Sequence, residues 1–217
     1  MILKTSCAVS GTGFLTSSEI IKKAGGWKCN LLTEDIEISV VNILEGEKIG
    51  YCDSAMFYDE QPSTFKQSWN QRMRWSKGFY QVMFKYGREL ISMAFKKRQM
   101  FVSCYDMFMT LAPATLLSVG CILLNIIFLV LGAHNFKLFL KIFPMTMESI
   151  GFALISFYML MFLIGLLTLI TEWKKIIAAP KKKIMSLFTF PIFMLTYIPI
   201  SLAALFKRVE WKPITHC

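Results

Sequence analysis

Three side chains suited to binding a diphosphate and a sugar lie close together near the start of the chain's second third. Gln71, Arg74 and Trp75 follow the spacing i, i+3 and i+4, which places all three on one face of a helix. Arginine presents a fork of donors that matches phosphate oxygens, glutamine adds neutral donors, and an indole ring offers an apolar platform for a sugar. This spacing favours a site for an anionic ligand that carries a sugar.

The competing interpretation of this stretch is a basic helix lying on a membrane surface. Residues 62–98 carry nine lysines and arginines against one acid. An apolar stripe also recurs at helical spacing, as in helices at a membrane interface or against a core. The stripe consists of Phe65, Trp69, Met73, Tyr80 and Phe84. A surface helix explains the charge and the stripe, but it gives no reason for Gln71 to share a face with Arg74 and Trp75.

A carboxylate that could act as a base lies upstream, where Glu34, Asp35 and Glu37 crowd the first turn of a predicted helix. Taken alone, this triplet favours a structural role, because acids complement the helix dipole and Thr33 is a good N-cap. Beside a diphosphate site, however, Asp35 could remove a proton from a hydroxyl that attacks the sugar carbon. Arg74 could then stabilise the departing diphosphate.

The elements that must position these residues resemble part of an α/β domain. The predicted elements are an extended segment at 6–10, a helix opened by a Thr16–Glu19 capping box and closed by Gly25 and Gly26, a helix from Thr33 to Gly46, a strand at 48–60, and a long amphipathic helix after Pro62. One or two strands cannot make a complete sheet. We therefore expect the rest of this domain to lie outside the 217 residues.

The second half of the chain predicts a membrane bundle. Three windows without a charged residue cover 107–132, 149–171 and 184–206. At about 1.5 Å per residue each can cross a hydrocarbon core of roughly 30 Å, which the apolar runs of ordinary core helices cannot. Five lysines lie in the connection at 172–183. The positive-inside rule therefore places that connection and residues 1–103 in the cytoplasm of a multi-pass protein of the cell membrane.

The cysteines and histidines exclude several site classes. None of the six cysteines shows a metal-type spacing, so they are interpreted as reduced thiols. The only histidines, His134 and His216, are far apart and outside the charged half. We therefore expect neither a zinc site nor a histidine-based triad. A nucleic-acid partner is not expected either.

Five short motifs, taken in order, resemble those of the membrane-bound, processive members of glycosyltransferase family 2. This group includes cellulose, chitin, hyaluronan and poly-N-acetylglucosamine synthases. The motifs are SGTGF at 10–14, GGW at 25–27, TED at 33–35, EQP at 60–62, and QRMRW, which matches Q-x-x-R-W, at 71–75. Each motif is weak alone, but their order and spacing are specific. Together with the membrane spans that follow the amphipathic helices, the resemblance covers nearly the whole chain.

The resemblance implies a fold class of α/β plus membrane helices in three parts. Residues 1–61 would be part of a GT-A-type catalytic domain, carrying its acceptor and TED side. Residues 62–103 would form amphipathic interfacial helices, at 62–80 and 82–98, that carry the Q-x-x-R-W motif. Residues 104–217 would form the transmembrane bundle of about three helices.

The resemblance also implies catalytic roles for the TED motif. Asp35 would be the general base that deprotonates the acceptor hydroxyl, and Thr33 and Glu34 would shape its surroundings. A base acting on the acceptor gives a single in-line displacement, so the transfer would invert the sugar carbon.

Binding roles follow in the same way from the other motifs. Gln71 and Arg74 would contact the donor diphosphate. Trp75, Gly11 and Thr12 would lie beside the acceptor sugar. The implied donor is a UDP-sugar, the implied acceptor is a polysaccharide or a lipid, and membrane lipids surround the bundle.

One large part of the family pattern is absent from the 217 residues. The nucleotide-binding half and its metal-binding D-x-D motif have no counterpart in this sequence. We expect them before residue 1, in a longer reading frame or on a separate chain, together with the first transmembrane helices. Mg²⁺ or Mn²⁺ would be held there, with no metal ligand in this chain, and the chain would be incomplete as an enzyme by itself.

Two alternatives stay open. A non-processive lipid glycosyltransferase would keep the fold and change the product. A non-catalytic membrane subunit or transporter fragment would use its basic helices only to bind anionic lipid. The lack of charged residues in the three windows argues against transport.

Overall fold

A computed structural model describes residues 6–52, 54–111, 114–133 and 135–210. The helices in these ranges are α1 (Ser18–Lys23), α2 (Glu34–Glu45), α3 (Phe65–Lys96), α4 (Phe101–Leu111), α5 (Ala114–Ala133), α6 (Phe136–Thr171), α7 (Pro180–Leu195) and α8 (Tyr197–Phe206), with a short 3-10 turn at Arg98–Met100. They form two compact units. One unit contains α1 to α4 and most of α8, and the other is built from α5 to α7.

The first two helices begin and end where local chemistry favours it. The predicted capping box at Thr16 is wrong by one residue, because Ser17 is the N-cap of α1 and its hydroxyl accepts from the Glu19 N–H at 3.2 Å. The bounds predicted for α2 are confirmed: Thr33 occupies its N-cap position, and Gly46 ends it with a left-handed φ of 87°. The Thr33 side chain makes no capping hydrogen bond, so the expectation that it is a good N-cap is wrong.

Helix α3 is one continuous helix of 32 residues, so the prediction of two helices at 62–80 and 82–98 is wrong. It begins with a capping box between Thr64 and Gln67. Gln81 lies between the two predicted segments and is a good helix former, and the helix contains no proline that could break it there. A single rigid element therefore carries both the Q-x-x-R-W motif and the basic stretch after it.

The apolar faces of α2, α3 and α4 meet in one buried cluster. Its members are Ile36, Val40, Ile43, Val82, Leu90, Ala94, Met100, Cys104, Met107 and Leu111. The burial of this cluster fixes α2 against α3. The start of the TED helix and the Q-x-x-R-W face are thereby held at a defined separation.

A second cluster joins α3 to α8 and divides the predicted apolar stripe. Met73 and Tyr80 are buried against Ile200 and Ala204 of α8. The Tyr80 hydroxyl donates to the Ser201 carbonyl at 3.3 Å, and Lys77 Nζ donates to the Leu205 carbonyl at 3.3 Å. The ends of the stripe, Phe65 and Phe84, are exposed. The middle of the stripe therefore packs against protein.

The strand predicted at 48–60 is wrong for the part of this segment that the structure describes. Ile49 accepts a backbone hydrogen bond from Cys7 at 3.0 Å, and its own N–H donates to the Ser6 hydroxyl. A strand needs a continuous ladder with a neighbour, and the flanking described residues make no such ladder. Since the described residues are helical or irregular, the partial GT-A-type sheet stays a prediction.

Two helical stretches, Phe136–Thr171 and Pro180–Phe206, are long and apolar enough to cross a membrane. None of the most apolar 18-residue window of α6 is buried, which is typical of a helix that faces lipid. The predicted first span at 107–132 is shared between α4 and α5, and residues 112–113 lie outside the described ranges. The number of three spans stays a prediction.

Candidate active site

The structure brings all eight predicted site residues to one cleft of about 290 Å³. They are Gly11, Thr12, Thr33, Glu34, Asp35, Gln71, Arg74 and Trp75. Ser10, Leu32 and Asp59 complete the lining. Four separate pieces of chain therefore meet here: the loop before α1, the start of α2, the segment between α2 and α3 that carries Asp59, and one face of α3.

The Asp35 carboxylate is oriented by backbone N–H groups at both of its oxygens. Gly11 N–H donates to Oδ2 at 2.8 Å, and Ile36 N–H donates to Oδ1 at 2.8 Å. A Cβ atom at position 11 would lie 3.2 Å from Oδ2, tighter than most side-chain contacts. Glycine therefore allows this loop to approach the carboxylate, and the half-buried Asp35 side chain still faces the cleft.

The Ser39 hydroxyl links the same loop to α2 through two hydrogen bonds. It donates to the Asp35 carbonyl at 2.8 Å and accepts from the Val9 N–H at 2.8 Å. Further along the loop, the hydroxyls of Ser10 and Thr12 are 2.7 Å apart. The loop that lines the cleft is thus tied to the first turns of α2, both directly and through a buried serine.

Two side chains of α3 contact the backbone of Leu32, one at its N–H and one at its carbonyl oxygen. Gln81 Oε1 accepts from the Leu32 N–H at 3.3 Å, and Arg74 Nη1 lies 3.5 Å from the Leu32 carbonyl oxygen. The Arg74 contact is at the long limit of a hydrogen bond, so the guanidinium is held only weakly. It can therefore turn toward a ligand in the cleft at small cost.

Gly78 allows α3 to approach the N-cap of α2 very closely. A Cβ atom at position 78 would lie 2.4 Å from Thr33 Cγ2 and 2.5 Å from Thr33 Oγ1. Thr33 is buried, and its hydroxyl has no hydrogen-bond partner among the described residues. Arg74, Gly78 and Gln81 follow helical spacing, so one face of α3 forms the seat for residues 32 and 33.

Glu37, the third acid of the triplet, has a structural role that the sequence pattern only partly indicates. Its carboxylate is fully buried and accepts four hydrogen bonds. The donors are Asn30 N–H at 2.8 Å, Leu31 N–H at 3.0 Å, Lys85 Nζ at 2.7 Å and the Tyr86 hydroxyl at 2.9 Å. Burial acts to raise the pKa of Glu37, but these hydrogen bonds outweigh it and hold the pKa below its ordinary value. Glu37 therefore fixes the turn before the TED motif.

The charges around the cleft are three carboxylates, from Glu34, Asp35 and Asp59, and one guanidinium, from Arg74. Asp59 was not predicted; its only sequence signal is its place next to EQP, and its Oδ2 accepts from Gln61 Nε2 at 3.2 Å. Within the described ranges, no three His, Cys, Asp or Glu side chains come close enough to hold a metal ion. No described residue is therefore assigned to the divalent metal that the family resemblance implies, and that metal stays a prediction.

A cleft that combines an oriented carboxylate with an arginine and an indole is suited to transfer of a sugar from a diphosphate. In agreement, the family model for glycosyl transferase family group 2 matches residues 1–207. The chain belongs to this family.

Curated relatives that are named as a glycosyltransferase or as a synthase align with parts of the chain. A probable glycosyltransferase, YdaM, from Bacillus subtilis (strain 168) is 29% identical over 146 residues, which are 67% of this chain and 34% of the relative. A poly-β-1,6-N-acetyl-D-glucosamine synthase from Staphylococcus aureus (strain COL) is 32% identical over 77 residues, which are 36% of this chain and 19% of the relative. The aligned part of the chain thus spans about a third of the first relative and about a fifth of the second. No solved structure is significantly similar to it.

Proposed function

We propose that this chain supplies the acceptor side of an inverting, membrane-integrated glycosyltransferase that moves a sugar from a UDP-sugar to a growing polysaccharide. The observation that carries the proposal is the cleft in which the Asp35 carboxylate, Arg74 and Trp75 meet. Family membership and the synthase name of one relative support the reaction class. The nucleotide-binding half is proposed to be a separate part of the complete enzyme.

In the proposed reaction, the Asp35 carboxylate accepts the proton of the acceptor hydroxyl. The acceptor oxygen forms a bond to the anomeric carbon of the donor sugar from the face opposite the diphosphate. The bond between that carbon and the diphosphate oxygen breaks, and UDP leaves with the electron pair. Both oxygens of Asp35 already accept one N–H each, but a carboxylate has further lone pairs for a hydroxyl.

The donor diphosphate is assigned to Gln71 and Arg74. Both side chains are half-buried on the wall of the cleft, where reduced solvent strengthens a contact between guanidinium and phosphate. Mg²⁺ or Mn²⁺ would add positive charge at the diphosphate, but no described residue is assigned to it and no step above depends on it. Arg74 supplies the charge that this chain offers to the leaving group.

The acceptor is assigned to Trp75, on the same face of α3 as Gln71 and Arg74, and to the loop before α1. Trp75 offers an indole face to a sugar, and Gly11 and Thr12 lie on the loop beside the Asp35 carboxylate. We place residues 1–103 on the cytoplasmic side, because the lysine-rich connection at 172–183 favours it. The two long apolar stretches would span the membrane.

The proposal is tested by Asp35→Asn in the complete enzyme. We expect kcat to fall by at least about 10²-fold, the usual contribution of a general base, while UDP binds normally. Asp106→Asn, which makes the same change at an exposed position of α4 outside the cleft, is the matched control and should keep wild-type turnover. Wild-type turnover in Asp35→Asn would refute the assignment of the base.

Arg74 is tested separately, by the affinity for UDP. Arg74→Ala should weaken UDP binding and lower kcat, because it removes charge from both the bound and the departing diphosphate. Unchanged UDP affinity and turnover would exclude the diphosphate role. The length of the product then distinguishes a polymer synthase from a lipid glycosyltransferase, which would stop after one sugar.

A further inference from the structure

Positive charge in the second unit is concentrated at the turn between α6 and α7. Residues 172–183 contain five lysines and one glutamate, which give a formal charge of +4. The rest of the unit, residues 115–171 and 184–199, contains only two lysines and one glutamate. An anion that meets this unit is therefore attracted to the turn.

Two of the five lysines have partners inside the turn and give it a fixed shape. The buried Lys183 joins the two ends: its Nζ donates to the Trp173 carbonyl at 2.6 Å and lies 4.7 Å from the centroid of the Trp173 ring. Lys175 Nζ forms an ion pair with Glu172 Oε2 at 3.1 Å. The single carboxylate of the turn is thus already engaged.

The other three lysines point to a ligand outside the protein. Lys174, Lys181 and Lys182 are exposed, and none of them forms an ion pair with another described residue. Lys181 and Lys182 lie in the first turn of α7, which contains no acid and has no side-chain cap. Cations at this end of a helix oppose its dipole and destabilise it. Folding alone does not explain their placement, whereas a bound anion would offset the repulsion.

The position of the turn indicates which anion it meets. The apolar stretches Phe136–Thr171 and Pro180–Phe206, each long enough to cross a membrane, end and begin beside it. In a membrane that these stretches cross, the turn lies level with the lipid headgroups. Trp173 is exposed there, and tryptophan is enriched at that level of membrane proteins.

From this arrangement we infer that the turn binds the headgroup phosphate of an anionic phospholipid, with Lys174, Lys181 and Lys182 as its cations. A phosphatidylcholine headgroup also carries a phosphate, but its choline cancels the charge, so the turn selects anionic lipid. The site is independent of the proposed sugar transfer, because none of these lysines lines the cleft.

The experiment measures lipid retention by native mass spectrometry. The 217-residue chain is released from micelles of a neutral maltoside detergent that contain phosphatidylglycerol or phosphatidylcholine with identical acyl chains. We expect the wild type to retain phosphatidylglycerol in preference to phosphatidylcholine. Each lysine near an anionic lipid contributes about fivefold in affinity, so Lys181→Gln/Lys182→Gln should weaken phosphatidylglycerol binding roughly 25-fold.

Two matched variants separate the site from charge in general. Lys137→Gln/Lys141→Gln removes the same charge from two exposed lysines near the opposite end of α6 and should leave the preference unchanged. Lys181→Arg/Lys182→Arg keeps both cations and should keep the preference. Thermal unfolding in lipid-free micelles shows whether the two lysines serve folding: Lys181→Gln/Lys182→Gln should unfold at the wild-type temperature or above it, because the change relieves repulsion at the helix end.

Sodium phosphate, compared with sodium chloride at equal ionic strength, distinguishes a lipid headgroup from a free anion. It should leave the retention of phosphatidylglycerol unchanged. Displacement of the lipid by phosphate would assign the turn to a soluble anion and overturn the lipid site. Equal retention of the two lipids by the wild type, undiminished retention in Lys181→Gln/Lys182→Gln, or a lower unfolding temperature of that variant would also overturn it.

Discussion

Replacing Gly78 by alanine should separate α3 from the N-cap of α2. The added Cβ would lie 2.4 Å from Thr33 Cγ2, whereas ordinary contacts of this kind begin at 3.4 Å. Either the helices move apart by about 1 Å or the Thr33 side chain rotates. Rotation is restricted, because Thr33 is buried and β-branched. We therefore expect the contact between α3 and residue 33 to open.

Two opposing effects set the magnitude. Alanine in place of glycine inside a helix stabilises it by about 0.5–1 kcal/mol. Overpacking of a close contact costs roughly 1–3 kcal/mol. The clash outweighs the propensity, so the free energy of unfolding should fall by about 1–2 kcal/mol. The functional effect should be larger, because a displacement of 1 Å at an active site can cost about 10²-fold in rate.

The assay is thermal unfolding of the detergent-solubilised chain, followed by circular dichroism. A chain of this size should lose roughly 2–4 °C in Tm for each kcal/mol. Gly87→Ala is the matched control on the same helix, because its Cβ would meet only the flexible side chain of Met83, at 3.0 Å or more. Adding Thr33→Ala to Gly78→Ala should recover part of the loss, since it removes the two atoms that clash most.

The sign of the change in Tm shows whether the clash with Thr33 outweighs the gain in helix propensity. If Gly78→Ala unfolds at the same or a higher temperature than the wild type, the gain in helix propensity is at least as large as the cost of the clash. The close contact with Thr33 would then not exist. A double variant that recovers nothing would show that the loss arises elsewhere on α3.

Three further predictions concern the surroundings of the site. Glu37→Gln should destabilise the chain by roughly 1–3 kcal/mol, because the amide cannot accept from all four donors of the buried carboxylate, and denaturant melts at pH 7 would measure it. Since the folded pKa of Glu37 is lowered, its stabilising contribution is complete above its ordinary pKa near 4.5 and is lost as the pH falls through the folded value. Denaturant melts between pH 7 and pH 3 should therefore show a smaller loss of unfolding free energy in Glu37→Gln than in the wild type. Burial and the nearby Glu37 carboxylate raise the pKa of Cys29 to about 11, so maleimide at pH 7 should label the exposed Cys52 well before Cys29, as peptide mass spectrometry would show.

The site could be predicted from the sequence more fully than the elements around it. Gln71, Arg74 and Trp75 share a helical face by spacing alone, and the motif order linked that face to Asp35 across a long stretch of chain. Such a link needs no knowledge of the fold, because the chemistry requires the carboxylate and the arginine to meet. The cleft brings them together, and their roles remain predictions.

The parts that could not be predicted depend on contacts between distant residues. Tyrosine and phenylalanine favour a strand at 48–60, but a strand also needs a partner, and pairing is a tertiary property. The apolar stripe of α3 could not show that Met73 and Tyr80 pack against α8 while Phe84 remains exposed. Gly78 was part of a motif-bearing stretch, yet its function depends on the position of Thr33.

The packing of α3 against α8 has a consequence for the order of synthesis. Tyr80 and Lys77 bond to carbonyls 121 and 128 residues later in the chain. At about 5–20 residues per second, a ribosome needs roughly 6 to 25 s to make that interval. During that time Met73 and Tyr80, on the apolar face of α3, have no α8 to pack against. The helix that carries the site therefore reaches its final support only after α8 has been synthesised.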